Sequence, residues 1–364
     1  MRRLARTHLA GLLAGLVIAG LAITGRLDGL EYWSLAQLFE WRGARNPILP
    51  IVIVSIDEST FSELNEQWPF ARTRHAALLL RIAEGRPRAI VMDLLFDTPS
   101  SRGPVDDEVF AEAVTSASNV VLAAYHAIDV QPHYRRDDLN VPIPIIRRGA
   151  AAVGFVNVSP ERDGQIRRVP LKERLPDGGA WPTLDAATHQ YLTKAGMRTA
   201  PLPDTDSVLI NFRGGPGSYP WVSYHRVVRG EIPPEYWKDK IVLIGPTSEI
   251  LHDQFSTAFA HRGDMPGVEI HANALETLIV GDWIREVPMA ISVALAMVLA
   301  IAGSAVALYV PGIASPVAAA MLLFAILLTT FAAFGVAGLW VHVAPVTLSL
   351  SLGYVGRCID PANF

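Results

Sequence analysis

The 70 residues from position 287 to position 356 contain no Asp, Glu, Lys or Arg, and His342 is the one side chain there that titrates near neutral pH. An unpaired charge in hydrocarbon costs kilocalories, and one helical crossing of a bilayer takes about 20 apolar residues. An uncharged run of this length reads as membrane-embedded, with three crossings joined by tight turns. The expected spans are 287–308, 313–334 and 336–355, broken at Val310-Pro311-Gly312 and between Phe334-Gly335 and Gly338. Ala296, Ala300 and Ser304 recur at four-residue spacing, which permits close helix packing, although Ala is also common in any membrane helix.

A second apolar segment, 9–25, follows Arg2, Arg3 and Arg6. No clear A-x-A cleavage site follows it, so it reads as an uncleaved first helix, with a cleaved signal peptide as the alternative. Under either reading the positive residues stay in the cytoplasm. Residues 1–8 are then cytoplasmic, residues 26–286 are extracytoplasmic, and the last three crossings return residues 356–364 to the cytoplasm. The hydrophobic share of 51% therefore averages two populations and says little about the polar middle. That middle is long enough for a substantial core. The net charge of −4 carries no basic run that would recruit nucleic acid. Cys358 is the only cysteine, so no intrachain disulfide supports the domain.

Within the middle, continuous apolar runs predict strands at 51–56, 89–92, 119–124 and 241–244, ending respectively near Asp57-Glu58, Asp93, Tyr125-His126 and Gly245. Unbroken runs of this kind suit strands buried on both faces, as in parallel sheets. Helical spacing of Ala76, Leu79, Leu80 and Ala83 predicts a helix over 75–84, and a second is expected over 107–116 with Asp106 as its cap. The expected fold class is an α/β extracytoplasmic domain with a largely parallel sheet, plus one N-terminal and three C-terminal transmembrane helices. In open α/β sheets ligands bind beyond the carboxyl ends of the strands, which here carry Asp57, Glu58, Asp93 and Gly245.

A set of ordered motifs surrounds these positions: Ile56-Asp57-Glu58; Trp68-Pro69-Phe70-Ala71-Arg72 with His75; Met92-Asp93-Leu94-Leu95-Phe96 with Pro99-Ser100; and Asp163-Gly164 with Arg167-Arg168-Val169-Pro170. Lys240-Ile241-Val242-Leu243-Ile244-Gly245 then leads to Asp253, and Pro266-Gly267-Val268-Glu269-Ile270-His271-Ala272-Asn273 closes the series. In order and spacing the chain resembles the type-two CHASE family, extracytoplasmic input modules of bacterial adenylate or guanylate cyclases and sensor kinases. The resemblance implies a sensory receptor in the bacterial plasma (inner) membrane. It would respond to a small-molecule ligand or envelope signal, act as a homodimer through its helices, and bias a cytoplasmic cyclase or kinase. The seven residues after Arg357 are too few for a catalytic fold, so that output is expected to lie elsewhere.

Individual residues keep two readings each. Asp57, Glu58 and Asp93 suit a cation or polar ligand, or else cap helices and pair with arginine. Arg72, next to the Trp68-Pro69 turn, suits an anionic group held bidentately, or an ion pair with Asp57 or Asp93. Arg167 and Arg168 read as structural. His252, Asp253, Glu269 and His271 are potential zinc ligands without a recognised zinc spacing, and Asp253 reads better as a loop residue near a strand end. Arg213-Gly214-Gly215-Pro216-Gly217 lacks the lysine and hydroxyl of a phosphate loop and reads as a mobile connection or ligand lid. The ligand-binding set is therefore Asp57, Glu58, Trp68, Arg72, Asp93, Asp253 and His271. No catalytic residue, metal or cofactor is assigned, since no nucleophile elbow, zinc-protease or kinase signature is present. The competing functional classes are an envelope scaffold or accessory subunit, and an extracytoplasmic metal-assisted hydrolase using Asp57 and Asp93.

Overall fold

The computed structural model describes residues 9–131, 134–175 and 178–358. The expected cytoplasmic N-terminus, 1–8, and all but the first three positions of the 356–364 tail lie outside the described residues. The chain forms two compact units: Ala44–Trp283, and a second made of Met1–Gly43 with Ile284–Phe364.

The Ala44–Trp283 unit is built on a seven-stranded sheet. Its strands are β1 (Ile51–Ile56), β2 (Ala89–Met92), β3 (Val120–Gln131), β4 (Tyr134–Asn140), β5 (Ala152–Phe155), β6 (Trp221–Ser223) and β7 (Ile241–Pro246). The principal helices are α1 (Glu58–Leu64), α2 (Arg72–Glu84), α3 (Pro104–Ala117), α4 (Leu184–Lys194) and α5 (Gly267–Val280). The order is β6-β1-β7-β2-β3, with β5 also paired to β3. Every one of these pairings is parallel, for example Ile53 opposite Leu243 and Leu243 opposite Val91. Only β4, added to the distal half of β3, runs antiparallel.

The two faces of β1 explain its unbroken apolar run, because successive side chains point to opposite sides of a strand. Val52, Val54 and Ile56 join a core with Leu78, Leu79 and Ile82 of α2 and Phe110 and Val114 of α3. Ile51 and Ile53 join the opposite core with Leu184 and Ala187 of α4 and Val268, Ala272 and Leu275 of α5. Each fully buried Val or Ile contributes about 1.5–3 kcal/mol relative to exposure. Gly154 of β5 has no room for a Cβ, which would lie 2.6 Å from Thr183 O and from Leu184 Cα, so its bareness lets α4 sit directly on the sheet.

Several elements depart from expectation. The α2 helix starts at Arg72 rather than 75, and β3 continues past 124 into a hairpin with β4. The α3 helix starts at Pro104 after Gly103, without a side-chain cap. Asp106 instead sits in the first turn of α3 and caps its neighbour. Its carboxylate accepts the backbone N–H groups of Arg72 (2.9 Å) and Thr73 (2.8 Å). The residue before α2 is Ala71, which has no side-chain acceptor, so the free N–H groups of that helix are satisfied from outside it.

The glycine-rich loop after Arg213 is fastened rather than free. The polar stripe of α5, Glu269, Asn273 and Glu276, lies at i, i+4 and i+7 and so faces one side. Glu269 accepts the backbone N–H groups of Gly217 (2.9 Å) and Ser218 (2.8 Å), and Asn273 Oδ1 accepts that of Arg213 (2.8 Å). The Arg213 guanidinium donates to Glu276 (2.7 Å) and Asp282 (2.8 Å) while 1% exposed.

The second unit holds helices Leu9–Ile23, Asp28–Arg42, Met289–Tyr309, Ala314–Ala337 and Val343–Cys358. Met289–Tyr309 (21 residues) and Ala314–Ala337 (24 residues) are long and apolar enough to cross a membrane. Helix Asp28–Arg42, which composition did not foresee, follows the first apolar helix after an 84° bend. The last helix begins at Val343 rather than 336. Gly338, at φ +61°, ends the preceding helix, and Leu339–Trp340 then pairs with Arg285–Glu286. Glu31 accepts the backbone N–H groups of Val343 (3.0 Å) and Ala344 (2.8 Å), closing the start of that helix. Ala296, Ala300 and Ser304 are buried, and the backbone around Ala300 approaches both Gly11 and Gly353 too closely for any side chain there. The four-residue repeat is thus the packing face of Met289–Tyr309.

Two substitutions test these arrangements. Arg213→Met leaves the wholly buried Glu276 without its cation and is expected to cost about 3–5 kcal/mol in denaturant unfolding, with part regained in Arg213→Met/Glu276→Gln. Gly353→Leu is expected to lower the melting temperature of the detergent-solubilised chain, whereas the same change at Gly335, where a Cβ meets nothing within 4 Å, leaves it nearly unchanged.

Candidate functional site

Because β1, β7 and β2 run parallel and in register, their carboxyl ends open on one edge of the sheet. Asp93 is the first residue past β2, and its backbone N–H bonds Ile244 O of β7 (2.9 Å). His271 lies one turn into α5. Asp253 precedes the short strand Gln254–Phe255, whose antiparallel pairing with Met265–Pro266 returns the chain to the start of α5. Gly267 leaves room there for the Asp253 carboxylate: a Cβ would fall 2.6 Å from Asp253 Oδ2 and push that side chain aside. Trp68 and Pro69, from the turn before α2, and Tyr125 and Asn157, from β3 and the segment after β5, complete the rim. Together these groups enclose a cleft of about 530 Å³ whose remaining wall is apolar, including Leu94, Val156 and Phe255. Its size falls within the usual range for small-molecule sites.

Asp185, in the first turn of α4, contacts His271 from behind: Nδ1 lies 2.9 Å from Asp185 Oδ2, and both residues are buried. Burial alone would strip the proton from His271. The adjacent Asp185, with Asp93 and Asp253, outweighs that and raises its pKa to about 9. His271 is therefore an imidazolium at neutral pH. Burial and then the neighbouring Asp93 push Asp253 up to about 6, against the attraction of His271 and the N–H of Gly267. Burial also raises Asp93, again against His271.

Of the seven residues read from sequence as ligand-binding, Trp68, Asp93, Asp253 and His271 line this cleft. Asp57 and Glu58 do not line it. Asp57 caps α1, accepting from Thr60 N (2.8 Å) and from the hydroxyls of Thr60, Ser59 and Ser223. Burial disfavours its charge, but these hydrogen bonds prevail and hold its carboxyl below the ordinary value. Glu58 accepts the N–H of Glu249 (3.1 Å). Arg72 pairs with Asp107 and the carbonyl of Thr98, not with Asp57 or Asp93. The reason is the segment ahead of α3, which wraps across the start of α2. Arg72 and Ser100 border a second, smaller cavity of about 220 Å³, and Trp68-Pro69 separates it from the cleft.

The potential zinc ligands do not gather as a set. Glu269 is two positions from His271 on α5, hence on another side of the helix, where it holds the 217–219 backbone. Among the described residues no three His, Cys, Asp or Glu side chains converge as a metal site requires. Asp185 escaped the sequence reading because an acidic residue in a first helical turn is ordinary. It sits on the buried side of α4 with Leu184, Ala187 and Leu192, but Thr188 and His189 are buried there too, so polarity alone does not single it out.

The chain thus combines an α/β unit whose strand ends open on a histidine-lined cleft with helices apolar enough to cross a bilayer. A model of the CHASE2 domain matches residues 13–309, and the chain belongs to this family, whose members are sensor domains of signalling proteins and not catalysts. No curated protein and no solved structure matches the chain significantly.

The raised pKa of His271 has a consequence for stability. A group whose proton is held more tightly when folded contributes stability that is complete below its unfolded pKa, ordinarily 6.5, and is lost as pH rises through about 9. Asp253 acts in the same sense at lower pH, with loss between 3.8 and about 6. The unfolding free energy from urea titrations of the native chain is expected to fall between pH 6.5 and 9, by on the order of 3 kcal/mol at most. In His271→Asn that slope should flatten, and an undiminished slope would remove His271 as its cause.

Proposed function

We propose that the chain is the sensing part of a multi-pass receptor in a bacterial plasma (inner) membrane. The observation that carries this reading is the CHASE2 match, which spans the α/β unit and reaches the first strongly apolar C-terminal helix. In this reading Ala44–Trp283 is extracytoplasmic and binds its signal, a small molecule, in the cleft of Asp93, Asp253 and His271. Leu9–Ile23, Met289–Tyr309, Ala314–Ala337 and Val343–Cys358 are the one N-terminal and three C-terminal spans. Arg2, Arg3 and Arg6 favour a cytoplasmic start, and the count of crossings then gives a cytoplasmic C-terminus. The 16 residues of Val343–Cys358 rise about 24 Å, short of a hydrocarbon core of about 30 Å, so this span requires local thinning of the bilayer or support from its neighbours.

Signalling needs a ligand with different affinity for two arrangements of the receptor. A homodimer in which the helices of two copies change their packing supplies two such arrangements. The output is a cytoplasmic cyclase or kinase.

Cys358 makes the topology directly testable. In a Cys358→Ser background, Pro160→Cys introduces a thiol at an exposed position. A membrane-impermeant maleimide is expected to label it in intact spheroplasts, and to label native Cys358 only after permeabilisation. The reverse pattern overturns the reading. The relay is tested with an adenylate cyclase catalytic domain fused after the last helix: Asp185→Asn is expected to change cyclic AMP output by about fivefold or more, the lower end of ordinary allosteric coupling. Unchanged output in a folded, membrane-inserted chimera would disconnect the cleft from signalling.

A further inference from the structure

The charge in the cleft is not balanced. Asp185 and His271 satisfy one another through Nδ1, which leaves Asp93 and Asp253 on the same cavity without a cation of their own. Among the described residues the Asp93 carboxylate has no hydrogen-bond donor, and Asp253 has only the N–H of Gly267. His271 is 3% exposed, lines the cavity, and has no hydrogen-bond partner at Nε2 among the described residues. A buried imidazole with one nitrogen oriented by a carboxylate and the other left facing a cavity is a group placed for a ligand. Burial has pushed the protonation of Asp93 and Asp253 upward, which marks both as carboxylates short of positive charge.

Three features define what fits. The excess of carboxylates over the one imidazolium favours a cation over an anion. Among the described residues no three His, Cys, Asp or Glu side chains gather as a metal site requires, which disfavours a bare metal ion. The walls beside them are aromatic and aliphatic, with Trp68 and Leu94 among them, and they suit a cation that carries an apolar body.

We propose that this cleft binds a small organic ammonium compound: its ammonium lies between Asp93 and Asp253, its apolar portion lies against Trp68 and Leu94, and an acceptor on it meets His271 Nε2–H. This rests on the cleft being the signal site of the receptor, and it names the chemical class of that signal. No covalent step is involved. The ammonium supplies the charge that burial denies the two carboxylates, so binding draws both towards their ionised forms.

The test uses the full chain purified in detergent micelles, with butylamine, phenethylamine and phenylalaninol as probes. 3-Phenylpropan-1-ol and 3-phenylpropionate serve as neutral and anionic analogues. Thermal shift and titration calorimetry at neutral pH are expected to show binding by at least one amine. The neutral and anionic analogues should bind at least about tenfold more weakly, the scale of one charge-assisted contact. Asp93→Asn and Asp253→Asn should each weaken amine binding about tenfold or more. Melting curves of the unliganded variants, compared with that of the parent, separate lost binding from lost folding.

Absence of binding by all three amines overturns the proposal. So does equal binding of the neutral analogue, or unchanged amine affinity in both variants. The measurement requires no output domain, so it fails independently of the receptor reading: a cyclase chimera that responds to Asp185→Asn while no amine binds removes the ammonium class alone.

Discussion

Parallel pairing is the constraint on which the rest of the α/β unit depends. With β1, β7 and β2 in register, each strand must be re-entered from the opposite edge, so helices cover both faces and all three carboxyl ends emerge together. The covered faces demand strands without exposed positions, which is why β1 and β2 are wholly buried. The shared edge has no strand to complete it. The segments beyond the strands close it: Asp93 after β2, the Asp253 segment after β7, and the start of α5 with His271. The cleft is therefore a product of topology before it is a product of any particular side chain.

Arg167, Arg213 and His271 are buried cations of this unit, and they differ in what lies beside them. Arg167 is enclosed by Glu161 (2.9 Å) and Asp163 (2.6 Å), and Arg213 by Glu276 and Asp282. Both guanidiniums are consumed by protein acceptors and fix loops to the core. Buried ion pairs of this kind add little net stability compared with apolar packing, but breaking one is costly, so they serve chiefly to hold a single arrangement. His271 differs because an imidazole presents two nitrogens on opposite sides of a ring. Asp185 occupies one, and the other is left to the cavity.

How much was legible in the sequence depends on the range of the interactions concerned. The four strands were legible because burial on both faces leaves a continuous apolar run, and the importance of the Asp93 edge came from strand direction. Asp253 and His271 were legible only as members of an ordered motif set. Asp185 was not, since its pairing joins residues 86 positions apart and its local setting is that of any first-turn carboxylate. The partner of Arg72 was misassigned for a related reason: Asp57 and Asp93 are strand-end neighbours in topology, whereas Asp107 arrives on a separate helix. Asp57 itself illustrates the converse. A carboxylate at a strand end followed by Ser59 and Thr60 caps the next helix, and the structure places it in that local role. In the other unit, the bend before Asp28 and the stop at Gly338 depend on backbone conformation, which hydropathy alone does not report.

The cleft also carries a cost, and that cost bears on how such a site can signal. Two carboxylates whose charge is disfavoured by burial make the empty site less stable than one lined by neutral side chains. The Asp185–His271 pair cannot remove this cost, since a single imidazolium faces three carboxylates. A cation entering the cleft would remove it, and it would do so by drawing together the segment after β2, the segment after β7 and the first turn of α5. These are separate elements of the chain. Binding energy would then be coupled to their relative placement, which is the differential affinity between two arrangements that any relay requires. A cleft already neutral and fully hydrogen-bonded when empty would have no such difference to exploit.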